Sequence, residues 1–386
     1  LVDSRRSRQV FLRFRRKTIM FAHFLRYMCP GECVLTIRNF FLKSCLGLLT
    51  LFGSYISLGT LPHADAARAD EPATKAVVIM YHRFGENDFP STNVTMAQFE
   101  AHVAELKSGG YNVISLPKIV AALRSGETLP PKTVGLSVDD AYTSVFTKAW
   151  PILKEAGFPL TVFVATDPVD KALSRYMSWD QLRMLADEGV TIGSQTQNHP
   201  HMADLDVAAI RDELISSNKR FEEELNIVPD LFAYPYGEAS NEVMALVRSA
   251  GFVASFGQHS GGIGTGTEMF YLPRFAMNEA FGSIDRFKLA ANALPLRVAD
   301  ITPSDPTIAG ENPPIIGFTV TWPASGLDRL NCFASHVESV DLQRLGSRIE
   351  VRTAKPMPEG RTRLNCTMPA GNGRWHWFGQ QYYVPK

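Results

Sequence analysis

The chain has 386 residues, of which 45% are hydrophobic and 20% charged, and it carries 39 Lys and Arg against 39 Asp and Glu. This composition excludes a disordered protein and provides enough apolar side chains for one large and one small domain, or for two of medium size. Residues 1–69 carry eleven basic against three acidic side chains, and the remainder carries 28 against 36. A nucleic-acid-binding protein would carry a basic excess in its folded part, so we exclude nucleic acid as a partner.

The N-terminal part is predicted to be an export signal. Residues 44–62 contain no charged side chain, Arg38 and Lys43 precede them, and small-x-small triplets follow within 64–69. A basic segment, a short apolar run and an A-x-A site are typical of a secretory signal peptide. The alternative is an uncleaved membrane anchor, for which the run is slightly short. We assign 1–69 to an N-terminal extension with a signal peptide, and expect a periplasmic or extracellular protein with no membrane attachment after cleavage.

From residue 75 to about 295, short apolar runs alternate with helical patterns. Strands are predicted at 76–81, 113–116, 133–138, 160–165, 190–192, 231–233 and 253–256. Helices are predicted at 96–107, from 119 onward, and at 145–156, 178–186, 208–225 and 243–250. This alternation indicates an α/β domain with a largely parallel sheet, which we place at 70–299. Such sheets place their chemistry at the carboxyl ends of the strands.

The last quarter of the chain has a different pattern. Residues 300–314 contain four prolines and are predicted to be a linker. The β-like segments that follow predict a small β-sandwich domain at 315–386; they are 315–322, 348–352 and 375–384. Cys332 and Cys366 are the cysteines in this domain. In an exported protein such a pair predicts a disulfide, with two buried free thiols as the alternative.

Polar side chains follow four of the predicted strands. Asp139 and Asp140 come directly after strand 133–138, and two adjacent acids after a buried strand are costly unless they bind a cation or transfer protons. His82, His199 and His201 follow two other strands, and a Pro-Tyr-Gly turn follows a fourth. A carboxylate with imidazoles suits Zn²⁺ or Co²⁺ with an open position for water. Taken singly, these motifs are also typical of caps, turns and surface loops.

Together the motifs resemble a known family. V-D-D at 138–140, Q-T-Q-N-H-P at 195–200 and F-A-Y-P-Y-G at 232–237 resemble the three leading motifs of the polysaccharide deacetylases. These enzymes form carbohydrate esterase family 4, with the nodulation-type chitooligosaccharide deacetylase domain. M-Y-H at 80–82 and L-P-R-F at 272–275 resemble the exported poly-N-acetylglucosamine deacetylase branch. The resemblance covers about 75–295 and implies a distorted (β/α) barrel that removes acetyl groups from a carbohydrate polymer or oligomer.

The resemblance also implies roles for individual residues. Asp139 matches the general base, Asp140 and His199 match two ligands of a divalent metal ion such as Zn²⁺, and the backbone N–H of Tyr236 matches the oxyanion donor. In the implied reaction the ion polarises the acetyl carbonyl and holds water. Asp139 then accepts the water's proton, and a histidine protonates the leaving amine.

Two departures from the family motifs bear on this mechanism. Gln195 stands at the first metal histidine, and an amide oxygen is a weaker ligand for zinc-like ions than an imidazole. Three alternatives follow: Gln195 coordinates poorly, His201 takes its place, or no metal binds. The family's arginine, which braces the base, falls at Ala233, and Arg274 is the candidate to supply that charge.

The general acid and the substrate contacts are assigned less directly. His259, in a glycine-rich stretch, is the candidate general acid, and His82 is the alternative. Side chains at the strand ends and in the Pro-Tyr-Gly turn are expected to bind substrate; they are His82, Tyr81, Tyr142, Pro235 and Gly237.

The expected function is therefore metal-dependent N-deacetylation of an N-acetylglucosamine-containing poly- or oligosaccharide. The alternative is a catalytically impaired glycan-binding or polysaccharide-processing protein on the same fold, which Gln195 and Ala233 favour. A third interpretation is that the tail is a binding module whose contacts are Trp322, Trp375 and Trp377. The alternative for these three tryptophans is that they form the core of the small β domain.

Overall fold

The computed structural model describes residues 74–337 and 339–386. The predicted signal peptide and extension, 1–69, lie outside the described residues. Within the described ranges, no helix is both long enough and apolar enough to cross a membrane.

The first part of the described chain alternates strands and helices. Its strands are β1 (Lys75–Tyr81), β2 (Arg83–Phe84), β3 (Asn93–Val94), β4 (Asn112–Val113), β5 (Thr133–Val138), β6 (Thr161–Val164), β7 (Thr191–Ser194), β8 (Leu231–Ala233), β9 (Ala254–Phe256), β10 (Ile263–Gly264) and β11 (Phe275–Ala276). Its helices are α1 (Met96–Ser108), α2 (Leu116–Ser125), α3 (Trp150–Ala156), α4 (Thr166–Asp170), α5 (Trp179–Asp187), α6 (Val207–Leu225), α7 (Asn241–Ser249) and α8 (Ile284–Ala291). A π-helical turn, Val145–Ala149, leads into α3.

Nine of these strands form one curled sheet in the order β10-β1-β5-β6-β7-β8-β9, with β4 beside β5 and β11 beside β1, while β2 and β3 pair with each other in a separate two-stranded sheet. All pairings are parallel except that of β10 with β1. β5 and β6 are buried along their whole length, as expected of parallel strands covered on both faces. The predicted α/β class is therefore confirmed. Because β1 and β5–β9 are parallel, their carboxyl ends lie along the same edge of the sheet.

Segment 272–276 contacts both ends of this sheet. Leu272 forms an isolated parallel bridge with Phe256 of β9, and β11 pairs with β1. The chain that follows β9 thus returns to the first strand, which brings Arg274 to the same edge as the carboxyl end of β5.

One predicted strand is too long. The strand predicted at 113–116 covers only Asn112–Val113, and Leu116 already begins α2. Ser115 is the extended N-cap of that helix and Pro117 stands in its first turn, where a fixed φ and a missing N–H favour a helix start.

The tail forms two four-stranded sheets. Their strands are β12 (Leu294–Pro295), β13 (Arg297–Thr302), β14 (Ile316–Trp322), β15 (Asn331–Ala334), β16 (Val340–Leu345), β17 (Arg348–Thr353), β18 (Gly360–Gly371) and β19 (Arg374–Val384). The sheets are ordered β12-β19-β18-β15 and β13-β14-β17-β16, and both contribute to one apolar cluster. The first residues of the predicted linker, 300–314, belong to β13, because this strand pairs with β14.

Cys332 and Cys366 form a disulfide, as predicted. They stand directly opposite each other on the antiparallel strands β15 and β18. The bond therefore ties together two strands that are 34 residues apart in the chain.

β18 separates two environments. Leu364, Cys366 and Met368 point into the apolar cluster between the sheets, whereas Arg361 and Arg363 alternate with them on the other face. That outward face lies against the α/β part: the Gln381 side chain on the neighbouring β19 donates to the carbonyl of Tyr236 at 3.1 Å.

Candidate active site

A cleft of 890 Å³ opens between the carboxyl ends of the parallel strands and the outward face of β18. The α/β part contributes a residue to its lining after each of five strands. They are His82 after β1, Asp140 after β5, His199 after β7, Tyr236 after β8 and Gln258 after β9. The polar residues that follow the predicted strands therefore converge on one place.

Asp139 lies behind this lining and is wholly buried. Arg274, also wholly buried, donates Nη1 to Oδ1 at 2.6 Å and Nη2 to Oδ2 at 2.8 Å. Burial by itself would raise the pKa of Asp139, but the charge of Arg274, then that of His82, outweighs burial and holds the pKa below its usual value. Asp139 is therefore an anion. It approaches the cleft through Oδ2, which lies 3.3 Å from Gln258 Nε2 and 4.0 Å from His82 Nε2.

Asp140 and His199 face each other across the cleft floor. His199 Nε2 lies 3.4 Å from Asp140 Oδ1, and both side chains are partly exposed. Burial lowers the pKa of His199, although the nearby carboxylates of Asp140 and Asp139 act in the opposite direction. The imidazole is therefore neutral at neutral pH, with a nitrogen directed at a carboxylate.

The backbone at these strand ends is in a sparsely populated conformation. Five residues that are not glycine have left-handed φ values there: Asp140 (70°), Ala141 (52°), Thr196 (70°), His199 (57°) and Tyr236 (58°). Each such residue costs about 1–3 kcal/mol and persists only where surrounding contacts enforce it, which is common at functional sites.

The Pro-Tyr-Gly turn is held from several sides. Tyr271 donates its hydroxyl to the Gly237 carbonyl at 2.9 Å, and Arg361 and Gln381 from the tail donate to the Tyr236 carbonyl. Gly237 has φ 71°, and a Cβ on it would lie 2.5 Å from the backbone nitrogen of Gln258. Only glycine fits at this close approach.

Comparison with known proteins matches residues 126–255 to the family model described as polysaccharide deacetylase. That segment is therefore similar to the polysaccharide deacetylases. The match includes Asp139, Asp140, His199 and Tyr236, whereas Arg274 lies beyond it.

Individual relatives agree with this assignment. YxkH of Bacillus subtilis (strain 168), named for the same family, is 25% identical over 56% of this chain and 77% of its own length. A poly-beta-1,6-N-acetyl-D-glucosamine N-deacetylase of Staphylococcus aureus (strain N315) is 21% identical over 58% of this chain and 89% of its own length. The solved structure of the Streptococcus pyogenes deacetylase PplD has a TM-score of 0.53 at 20% identity, covering 57% of this chain and 99% of that one, so it supports the fold.

The polysaccharide deacetylase resemblance implies a divalent metal ion, and the residues present do not complete a site for one. Gln195 is wholly buried; its Oε1 accepts the backbone N–H of Asp140 at 3.2 Å, and its Nε2 has no hydrogen-bond partner. Asp140 and His199 are thus left as two ligands of the expected types. Across 74–337 and 339–386, no group of three or more His, Cys, Asp and Glu side chains is arranged to hold an ion.

His201 does not take the place of the missing histidine ligand. Its Nδ1 pairs with Glu238 Oε2 at 2.7 Å, and its ring stacks on Tyr236 with centroids 4.2 Å apart. Glu238 is almost wholly buried and also lies 3.5 Å from Arg361, so the imidazole is held in this second cluster.

His259 is not part of the cleft lining, which corrects its assignment as the candidate general acid. It borders a separate cavity of 710 Å³, its ring packs on Tyr271, and its Nδ1 is buried without a hydrogen-bond partner. Burial lowers the pKa of His259 to about 3, so at neutral pH the ring is a neutral imidazole and not the imidazolium that would act as a general acid. His82, the alternative, lines the cleft.

The residues expected to bind substrate divide into three groups. Tyr142 and His82 line the cleft, although Arg83 covers the Tyr142 ring at 3.3 Å. Tyr81 does not: it is 2% exposed within the main core and its hydroxyl bonds to His102 Nδ1 at 3.0 Å. Pro235 and Gly237 are buried and shape the turn.

Two parts of the site were missed by sequence reasoning. Gln258 follows β9 and contacts Asp139, and the rule that polar residues at strand ends mark the site would have found it. Arg361 and Arg363 come from the tail, and the alternation of polar and apolar residues along 361–368 was their signal.

Proposed function

We propose that the protein hydrolyses the acetamido group of an N-acetylglucosamine-containing poly- or oligosaccharide and releases acetate. The family acts as hydrolases on carbon–nitrogen bonds other than peptide bonds. The observation that carries the proposal is the anionic Asp139, braced by Arg274, directly behind a cleft that also contains His82 and His199. An open cleft of this size accommodates several sugar units, as a polymer substrate requires.

The chain's own residues supply the proton transfers. Asp139 accepts the proton of the attacking water, since Arg274 keeps it ionised. The N–H of Tyr236 stabilises the negative oxygen of the tetrahedral intermediate, a contact of a type worth about 3–4 kcal/mol of barrier. His82, with Nε2 4.0 Å from Asp139 Oδ2, protonates the leaving amine.

No step is assigned to a metal ion, because Gln195 stands where a third ligand is needed. Metal dependence stays a prediction, and it is tested by measuring bound zinc in the full chain and in Gln195→His. We expect the variant, which replaces a weak amide ligand by an imidazole, to bind zinc more tightly than the parent.

The test of the function is acetate release from N-acetylglucosamine oligomers by the full chain, with and without added Zn²⁺ or Co²⁺. We expect release that is lost in Asp139→Asn. Arg211→Gln, a change on the exposed side of α6, serves as the control and keeps the activity. Absence of acetate under every condition from the parent and from Gln195→His would contradict the proposal.

A second candidate function is a glycan-binding protein of the same fold without hydrolysis. The amide of Gln195, which contacts the Asp140 backbone in place of an imidazole ligand, is the observation that favours it. This candidate predicts that the parent binds the oligomers without releasing acetate and that Gln195→His gains activity.

We also infer the finer architecture and the location. The contact of 272–276 with both ends of the parallel sheet supports a distorted (β/α) barrel, and the two tail sheets with one shared cluster support a β-sandwich. The disulfide and the apolar segment 44–62 support export. N-terminal sequencing of the protein recovered from outside the cytoplasm tests cleavage near 64–69.

A further inference from the structure

The tail supplies one wall of the cleft. Arg361, Arg363 and Asn365 stand at alternate positions on the outward face of β18 and line the cleft, as does Trp377 of β19. Trp377 donates its Nε1 to Asn365 Oδ1 at 3.0 Å, which fixes both side chains. This wall lies opposite the strand ends that carry Asp140 and His199, so a bound polymer touches both.

The arginines of this wall differ in their partners. Arg361 lies 3.5 Å from Glu238 and is thereby neutralised. Arg363 donates its Nε to the neutral Gln381 side chain at 3.0 Å, and within the described part of the chain no carboxylate lies within ion-pair distance of it. The carboxylate of Glu238, which pairs with Arg361, acts on Arg363 only at longer range, so Arg363 lines the cleft without an ion-pair partner of its own.

A third cation reaches the cleft from α8. The Arg286 guanidinium lies over the rings of Phe275 and Trp377, 5.5 and 5.0 Å from their centroids. Its Nη1 is buried without a hydrogen-bond partner, and none of the described carboxylates pairs with it. Arg286 is thus held by aromatic faces in a cleft that Arg363 also lines.

Two partly buried guanidinium groups without counter-ions are costly in the free protein. Their presence in the cleft contrasts with the acidic excess of the surrounding chain, since residues 70–386 carry 28 basic against 36 acidic side chains. An anion in the cleft would remove that cost. A planar guanidinium pairs best with a planar carboxylate, through two parallel hydrogen bonds.

We propose that the cleft takes a glycan in which uronate units accompany N-acetylglucosamine, with Arg286 and Arg363 as the contacts for the carboxylate groups. This inference rests on the proposed function for the sugar that reacts, and it names the class of polymer that carries that sugar. Arg363 of the tail and Arg286 of α8 then select the substrate together.

The experiment is calorimetric binding of two oligosaccharides of equal length to the full chain. One alternates N-acetylglucosamine with glucuronate, and the other contains N-acetylglucosamine alone. We expect the uronate oligomer to bind about tenfold or more tightly, and this preference to shrink at high salt, because an ion pair in an open cleft is screened. Inorganic sulfate as a competitor separates a site for any anion from one that prefers carboxylate.

Matched variants locate the preference. Arg363→Gln and Arg286→Gln should each reduce it, Arg363→Lys should retain part of it by keeping the charge, and Arg211→Gln should leave it intact. Near-ultraviolet circular dichroism checks that each variant is folded. Equal affinity for the two oligomers, or a preference that survives in both glutamine variants, overturns the inference.

Acetate release from the same two oligomers distinguishes this inference from the proposed function. Release from the neutral oligomer without a uronate preference overturns the inference alone. Preferential uronate binding without acetate from either oligomer supports the inference and contradicts the proposed function.

Discussion

Asp139 and Arg274 are joined by two hydrogen bonds of 2.6 and 2.8 Å, although 135 residues separate them in the chain. Both side chains are wholly buried, and Arg274 also donates to the carbonyl of Gly257 at 2.9 Å. The pair therefore links the carboxyl end of β5 to the segment that returns from β9 to β1. It positions the proposed base and also holds the two ends of the sheet together.

Removing one partner of this pair should destabilise the fold. Arg274→Met leaves the Asp139 carboxylate buried without its counter-charge, so we expect the free energy of unfolding to fall by about 3–5 kcal/mol. Urea denaturation followed by circular dichroism measures the change. The double variant Asp139→Asn/Arg274→Met should lose less than the sum of the single losses, and strict additivity would show that the two groups are not coupled.

The disulfide between Cys332 and Cys366 closes a loop of 34 residues. In the chain-entropy account a loop of this length stabilises the folded state by about 3–4 kcal/mol, so the double variant Cys332→Ala/Cys366→Ala should lose an amount of that order. The measurement is urea denaturation without reductant. A reducing agent should destabilise the parent but leave the variant unchanged; a parent that is insensitive to reduction would contradict this prediction.

Gly237 and Gly126 form a matched pair for testing the turn. Both have left-handed φ, 71° and 75°, but a Cβ on Gly237 would strike Gln258 whereas one on Gly126 meets open space. Gly126→Ala should cost about 1 kcal/mol, from conformation alone. Gly237→Ala should cost more and should also lower acetate release, because it displaces Gln258, which contacts Asp139. Equal stability losses with unchanged activity in both variants would show that the close approach is unimportant.

His102 should make stability depend on pH. It is wholly enclosed between Tyr81, Phe287 and the carbonyl of Gly282, and burial lowers its pKa to about 4 from the 6.5 of a free histidine. As pH falls, the unfolded chain binds the proton first, so this group's share of stability is full above pH about 6.5 and declines towards pH about 4.

Between pH about 7 and pH about 5, His102 alone should reduce the free energy of unfolding by about 2 kcal/mol. Urea denaturation at the two pH values measures it. His102→Gln should be less stable than the parent at neutral pH and lose less on acidification. An identical decline in parent and variant would exclude His102 as its source, and His259, whose pKa burial also lowers, would be the next residue to replace.

The sequence predicted the α/β part well where one local signal decides the structure. Thr133–Val138 and Leu231–Ala233 have the predicted bounds, because continuous apolar runs between polar residues leave few alternatives. Ser178 caps α5, which was predicted to start at this position, through reciprocal hydrogen bonds with Gln181. The prediction of a strand at 113–116 was wrong beyond Val113, because Ser115 and Pro117 favour the start of a helix and outweigh the β propensity of the segment.

The candidate site was predictable in its strand ends but not in its distant contacts. Asp139, Asp140 and His199 were found because they follow buried strands. His259 was misplaced because a glycine-rich sequence does not reveal which cavity a side chain borders. Arg361 and Arg363 were missed because their role depends on how the tail lies against the α/β part, which periodicity within one strand does not specify.

The position of β19 has a consequence for biosynthesis. This strand pairs with β18 and with β12, and it carries Trp377 to the cleft and Gln381 to the carbonyl of Tyr236. During translation the α/β part emerges from the ribosome well before β19, so the nascent protein passes through a stage in which the reactive groups exist but their opposite wall does not. A chain terminated before β19 should therefore expose the apolar side of β18 and be a target for proteolysis rather than a smaller working enzyme.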